Sequence, residues 1–228
     1  MDDGTERRLT GREWGAIALV TLGAVLLRLT RLEAREPWLD EACSSLLARG
    51  DLSDLAGVFT GESNPPLYYG MLFFWQKIAG SSPAALRLPS VVAGASLVPL
   101  VWVLAHRLGA RGWACAAAGL LAAASPLLLF YSLEARAYMP LWALALGAVL
   151  ALDVVVARPG RTGPVVIAAG LTAAAMYTHY YGVFLLPLWG LAWGATPAGK
   201  RLRPALGALA TGLAWLPWAA LHLAGHVG

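Results

Sequence analysis

Long uncharged apolar runs recur from one end of this 228-residue chain to the other, and the short loops between them hold nearly all the arginines. Roughly 17–25 apolar residues in α-helix cross a hydrocarbon core about 30 Å thick. Lipid offers no partner to a backbone that has not already bonded to itself, so the runs must be helical. Composition agrees with the pattern. Some 58% of the residues are hydrophobic and 13% charged, whereas about a quarter are charged in an ordinary soluble domain. The sequence therefore specifies an all-α polytopic membrane bundle.

Seven runs are long enough, or nearly so, to span: Trp14–Thr30, Leu86–Ala105, Trp113–Tyr131, Tyr138–Ala157, Pro164–Thr178, Gly182–Ala195 and Pro204–Leu223. The sixth is the shortest. The first is preceded by Arg7, Arg8 and Arg12 as a signal peptide would be, but no small-residue cleavage site follows it, so it reads as a retained span. An eighth apolar stretch, Pro65–Ala79, would rise only ~22 Å as a helix, which leaves a span and an interfacial helix both open. Orientation decides between them. The loops at Arg107/Arg111, Arg158/Arg161 and Lys200/Arg201/Arg203 are short, basic and free of acids, as cytoplasmic loops are. All three lie on the side of the N-terminus only if Pro65–Ala79 does not cross. The predicted topology has seven spans, the N-terminus cytoplasmic and the C-terminus outside, in the plasma (inner) membrane. The chain is one membrane domain, residues 1–228, whose residues 31–87 form an outer loop with juxtamembrane helices.

The net charge of +4 does not imply nucleic acid, because the basic residues sit in loops and form no stripe on a soluble face. Cys43 and Cys115 make neither a disulfide framework nor a metal pair. Small residues such as Gly94, Ala95, Ala116–Ala118 and Gly170 suit close helix packing. Eight of the 13 acids fall on the outer side: Glu33, Glu36, Asp40, Glu41, Asp51, Asp54, Glu62 and Glu134.

The residues able to carry chemistry gather on that outer side. Trp38-Leu39-Asp40-Glu41-Ala42 opens a short helix predicted over Asp40–Arg49. Its two carboxylates suit a helix N-terminus, and equally a general base or a metal ligand. Ser63-Asn64-Pro65-Pro66-Leu67-Tyr68-Tyr69 reads as a turn and a helix start. In Tyr131-Ser132-Leu133-Glu134-Ala135-Arg136-Ala137-Tyr138 two charges lie between apolar runs, as a snorkelling ion pair or as residues facing the bundle interior. If that segment is helical, Tyr131, Glu134 and Tyr138 share a face. His179, between two spans, reads as a structural interfacial histidine or as part of the same site, and His222 and His226 are weaker candidates.

Taken in order, Trp38–Ala42, Asn64–Tyr69, Leu86-Arg87-Leu88-Pro89-Ser90, Tyr131–Tyr138 and His179-Tyr180-Tyr181 resemble the N-terminal module of GT-C glycosyltransferases of the dolichyl-phosphate-mannose–protein mannosyltransferase-like superfamily. That group includes bacterial protein mannosyltransferases and the lipid A aminoarabinose transferases. The resemblance runs from about Arg28 to about Tyr181 by motif and to the end by topology. It implies a seven-span module with juxtamembrane helices, and an inverting transfer of a sugar from a polyprenyl-phosphate carrier to an acceptor on the outer face. It makes Asp40 the catalytic carboxylate and Glu41 its neighbour in the acceptor site. It places Asn64, Arg87, Tyr131, Glu134, Arg136, Tyr138, His179 and Tyr180 around the donor. The implied partners are the polyprenyl-phosphate sugar, an unidentified acceptor and membrane lipids, with no nucleic acid. No cofactor is specified and a divalent metal stays open, although relatives often carry a charged residue or histidine where this chain has Asn64. Relatives also continue into a large outer loop beyond the seventh span, so the resemblance implies a C-terminal part not contained in these residues.

The residue types suit that chemistry. A carboxylate within hydrogen-bond reach can take the proton of an acceptor hydroxyl, and an arginine can meet a leaving phosphate with paired hydrogen bonds. Two other readings compete: a truncated or degenerate member that only binds lipid carriers, and a non-enzymatic bundle such as a transporter. Transporters place charges at the midplane; here the spans hold no mid-membrane charge apart from the off-centre Asp153.

Overall fold

The computed structural model describes residues 8–34, 36–47 and 65–226, with the side chains of residues 47 and 222–226 excepted. Asp51, Asp54, Glu62 and Asn64, and the side chains of His222 and His226, therefore lie outside the described residues. Among the described residues ten α-helices occur and no strand. They are α1 (Gly11–Leu29), α2 (Leu39–Leu47), α3 (Pro66–Ala79), α4 (Pro83–Arg107), α5 (Trp113–Ala124), α6 (Pro126–Ser132), α7 (Tyr138–Ala157), α8 (Thr162–Thr178), α9 (Leu186–Ala195) and α10 (Leu202–His226).

Helix ends follow local chemistry. Thr10 and Glu13 form a capping box at the start of α1. Ser82 caps α4, its Oγ accepting from the Ala85 N–H at 3.2 Å, with Pro83 in the first turn. Two expected spans are not continuous helices. The third breaks at Pro126, which has no N–H to give the preceding turn. Ser125 recaps the chain, its Oγ accepting from the Leu128 N–H at 3.4 Å, and α5 and α6 meet at a bend of 48°. The sixth opens as a 3₁₀ segment, Tyr180–Leu185, so only Leu186–Ala195 is α-helical.

The seven apolar runs thus occur as seven helical runs. Those long and apolar enough to cross a membrane on their own are α4, α7 and α10, with the bent α5–α6 pair as a fourth. Helix α8 is apolar but has 17 residues, and the 19 residues of α1 include Arg12, Glu13 and Arg28. The stretch expected at Pro65–Ala79 is helix α3, which buries Tyr68, Tyr69, Leu72 and Phe73 against Leu86, Ala135 and Ala137. The predicted helix over Asp40–Arg49 is observed as Leu39–Leu47.

Helix α4 packs against α1, α5, α6 and α7, and α8 against α7 and α10. Among apolar helices in lipid, close fit rather than hydrophobicity drives such contacts. Cys115 is fully buried beside Ile17 and Trp102, while Cys43 is exposed, so the two thiols stay apart. The basic loops collect at one end of the bundle. There Arg107 pairs with Asp153 at 2.5 Å, which neutralises the off-centre acid, and Arg203 donates to the Gly160 carbonyl at 2.6 Å. The acidic and aromatic segments lie at the other end.

Gly207 is where α10 meets α9: a Cβ there would lie 2.3 Å from the Trp189 ring and 2.8 Å from Val165. Overpacking of this kind costs about 1–3 kcal/mol. Gly207→Ala should therefore lower the thermal unfolding temperature in detergent, whereas Gly212→Ala, where nothing lies within 4 Å, should leave it unchanged.

Candidate active site

A buried ion pair organises the non-basic end of the bundle. Glu41 on α2 is 4% exposed and Arg87 on α4 is 1% exposed. Their contact is bidentate, Nε to Oε1 at 2.9 Å and Nη2 to Oε2 at 2.8 Å. The Ala135 N–H also donates to Glu41 Oε1 at 2.8 Å, and Arg87 Nη1 donates to the Leu32 carbonyl. One carboxylate thus joins α2, α4 and the turn between α6 and α7. Gln76 on α3 donates to the Ser45 carbonyl at 3.3 Å, which holds α2 from its other side.

Burial alone would raise the Glu41 pKa. The hydrogen bonds from Arg87 and Ala135, with the arginine's charge, outweigh it and hold the carboxyl below its ordinary 4.5.

The turn 133–137 is not helical, so Tyr131, Glu134 and Tyr138 do not share the helical face their spacing allowed. Glu134 is instead buried, 3% exposed, near Arg87. Ser90 Oγ donates to the Arg136 carbonyl at 3.3 Å. The Arg136 guanidinium turns outward over the Tyr138 ring, 5.7 Å from its centroid, with Nη2 3.5 Å from Asp40 Oδ2. Both partners stay accessible, at 19% and 42% side-chain exposure. Asp40 and Arg136 are each one residue along from a clamped group, Glu41 and Ala135. Successive helical positions point about 100° apart, so a buried Glu41 turns Asp40 toward the rim.

A narrow crevice opens beside them, lined by Ser44, Tyr68, Tyr69, Arg136, Ala137, Tyr138 and His179. His179 is 5% exposed and stacks against Tyr180 and Tyr181, with Tyr138 5.7 Å away. Its Nδ1 accepts from the Tyr181 N–H at 3.2 Å, which assigns the proton of the neutral ring to Nε2. Burial, and then the Arg136 charge, hold its pKa below 6.5, so His179 is neutral at physiological pH.

Of the residues read from the sequence, the fold brings Asp40, Arg136, Tyr138 and His179 together. Glu41, Arg87 and Glu134 lie directly beneath them as buried supports. Tyr131 stands one ring back, against Tyr138 and Trp142, and Tyr180 is 45% exposed on the far side of His179. Ser44, Tyr68 and Tyr69 line the crevice but were not read as site residues. Tyr68-Tyr69 followed Pro65-Pro66 and, taken alone, signalled a helix start. Among the described residues no three His, Cys, Asp or Glu side chains gather closely enough to hold a metal ion.

The sequence matches no protein-family model and no curated protein. Its fold does match a solved structure, the Saccharomyces cerevisiae protein O-mannosyltransferase Pmt1–Pmt2 complex bound to the sugar donor, with a TM-score of 0.79 at 15% sequence identity. The fold is thus that of a membrane-helical module shared with a mannosyltransferase, as the GT-C resemblance implied. The match covers 95% of this chain and 34% of the yeast chain, so the chain spans about a third of that enzyme's length.

Because the folded-state pKa of Glu41 is depressed, the stability it contributes is present above its unfolded value and lost as pH falls through the folded one. Breaking a buried pair costs about 3–5 kcal/mol. Glu41→Gln should lower stability by that amount at neutral pH, measured by thermal unfolding in detergent. The gap from the parent should narrow below pH 4.5. A constant gap down to strongly acid pH would show that Glu41 ionisation is not what the fold uses.

Proposed function

We propose that the chain is the donor- and acceptor-binding membrane module of a glycosyltransferase that moves a sugar from a polyprenyl phosphate to an acceptor hydroxyl. The observation that carries this reading is the accessible Asp40–Arg136 pair, held at 3.5 Å above a buried support and beside a neutral histidine. The acceptor oxygen attacks the anomeric carbon of the sugar with inversion, and Asp40 takes its proton. The bond from that carbon to the phosphate oxygen breaks, and the phosphate leaves with the electron pair opposite Arg136. His179, with its proton on Nε2, serves as a neutral donor to the same phosphate. Glu41 and Arg87 act through the backbone they hold, with Glu134 buried beside Arg87. A groove of about 550 Å³ between α3 and α8, lined by Leu67, Met71, Phe74 and Ala173 among others, gives an apolar chain a path beside the crevice.

In this reading the helical runs make seven crossings, the N-terminus is cytoplasmic, α2 and α3 lie on the outer surface of the plasma membrane, and the site faces outward. The match covers 34% of the yeast chain. Transfer is therefore assayed with the C-terminal part of such an enzyme supplied.

Three measurements test these statements. In a cysteine-free background, an impermeant thiol reagent added outside should label Gly80→Cys and not Gly160→Cys; the reverse would invert the topology. Arg136→Ala should weaken binding of a polyprenyl-phosphate sugar about tenfold or more, and unchanged binding would remove Arg136 from the donor site. Asp40→Asn keeps shape and hydrogen bonding but cannot take the proton. It should cost about 10²–10⁴ in transfer rate with the fold intact, and transfer at the parental rate would leave only the carrier-binding role.

A further inference from the structure

Arg28, near the end of α1, is 0% exposed, a charged side chain wholly inside the bundle. Its guanidinium bridges the last turn of α5 and the last residue of α6. Nη1 donates to the Ala123 carbonyl at 3.3 Å, just before the Pro126 break, and to the Ala24 carbonyl at 3.0 Å. Nε donates to Ser132 Oγ at 3.0 Å, at the last residue of α6. Pro126 breaks the helical ladder beside Ala123, so the arginine serves a carbonyl that the break exposes. Ser132 in turn donates to the Leu128 carbonyl. The contact depends on Gly94, where a Cβ would lie 2.0 Å from Ser132 Oγ and 3.3 Å from Arg28 Nε. Gly94, Ser90 and Arg87 lie along one face of α4, at i, i−4 and i−7. Each meets the segment that ends in the site: Gly94 at Ser132, Ser90 at the Arg136 carbonyl, Arg87 through Glu41 to Ala135.

We infer that Arg28 is a positioning residue, a brace that fixes the bent α5–α6 span and thereby sets where the 133–137 turn presents Arg136. A guanidinium offers several donors in a rigid plane, whereas a lysine ammonium is one point charge on a flexible stem. Nor is the charge placed there for pairing, since no carboxylate is bonded to it among the described residues. A buried cation in an apolar bundle is costly, and what it contributes here is the geometry of the break.

The effect can be read without any assay of transfer. His179 faces Arg136, Tyr138, Tyr180 and Tyr181, and the Arg136 charge is one cause of its lowered pKa. The full 228-residue chain, labelled with ¹³C-histidine in detergent micelles, is titrated by NMR, with the His179 resonance assigned by its loss in His179→Gln. In Arg28→Met, and in Arg28→Lys, the His179 pKa should rise part of the way to 6.5 as Arg136 moves off. Ser132→Ala removes one end of the brace, should give a smaller rise, and serves if Arg28→Met does not fold. An unchanged titration in folded Arg28→Met, or in Ser132→Ala where Arg28→Met is unfolded, overturns the inference. So does full retention of the parental value by Arg28→Lys. The inference rests on the proposed role of Arg136 only for its meaning in binding. If Arg136→Ala leaves polyprenyl-phosphate binding unchanged the donor-site reading fails, while the His179 titration still decides whether Arg28 positions the turn.

Discussion

The geometry of the site depends on one buried contact, the bidentate pair of Glu41 and Arg87. Taking two charges out of water costs several kcal/mol per ion, and the attraction offsets this only where the remaining hydrogen-bond capacity is also used. Here the Ala135 N–H and the Leu32 carbonyl use it. The pair therefore joins groups that the chain itself separates by tens of residues. It fixes the first turn of α2 against α4 and draws the 133–137 turn onto both. Asp40 and Arg136 are the immediate chain neighbours of the clamped groups, so clamping one residue inward aims the next at the rim.

Beneath that contact the bundle is held by fit rather than by water exclusion, because the lipid is as apolar as the helices. Close approach falls to a few glycines, Gly94 against Ser132, Gly119 against Trp102 and Gly207 against Trp189. Polar atoms exposed by the break at Pro126 and by the 3₁₀ segment after His179 are met inside the structure, by Arg28 and Ser125 in the first case and by the His179 ring in the second. The second adjoins the site, and the first lies one short helix before the 133–137 turn. Irregular backbone at such depth is tolerated only where protein, not lipid, surrounds it.

The two cationic side chains at the site differ in what the fold lets them do. Arg87 is fully engaged and nearly without exposure, and Arg136 keeps an accessible guanidinium. The same division separates Glu41 from Asp40. An inner pair bears the architecture and an outer pair faces solvent, with a neutral imidazole alongside.

The sequence by itself determined the helical runs, because apolar length and the need to satisfy the backbone in lipid admit little else. It also indicated that Asp40, Arg136 and His179 belong to one end of the bundle, since the positions of basic loops fix which ends lie together. The extents of the runs were less legible. Pro126 and the residues after His179 look apolar enough to continue a helix, and only the tertiary partners of the freed backbone groups permit the breaks. The division of labour between adjacent residues was decided by tertiary structure alone. Asp40 and Glu41 are the same chemistry one position apart, as are Arg87 and Arg136 in two different segments. Which of each becomes a buried support is settled by contacts between residues 46 and 94 positions apart, and no local pattern records them.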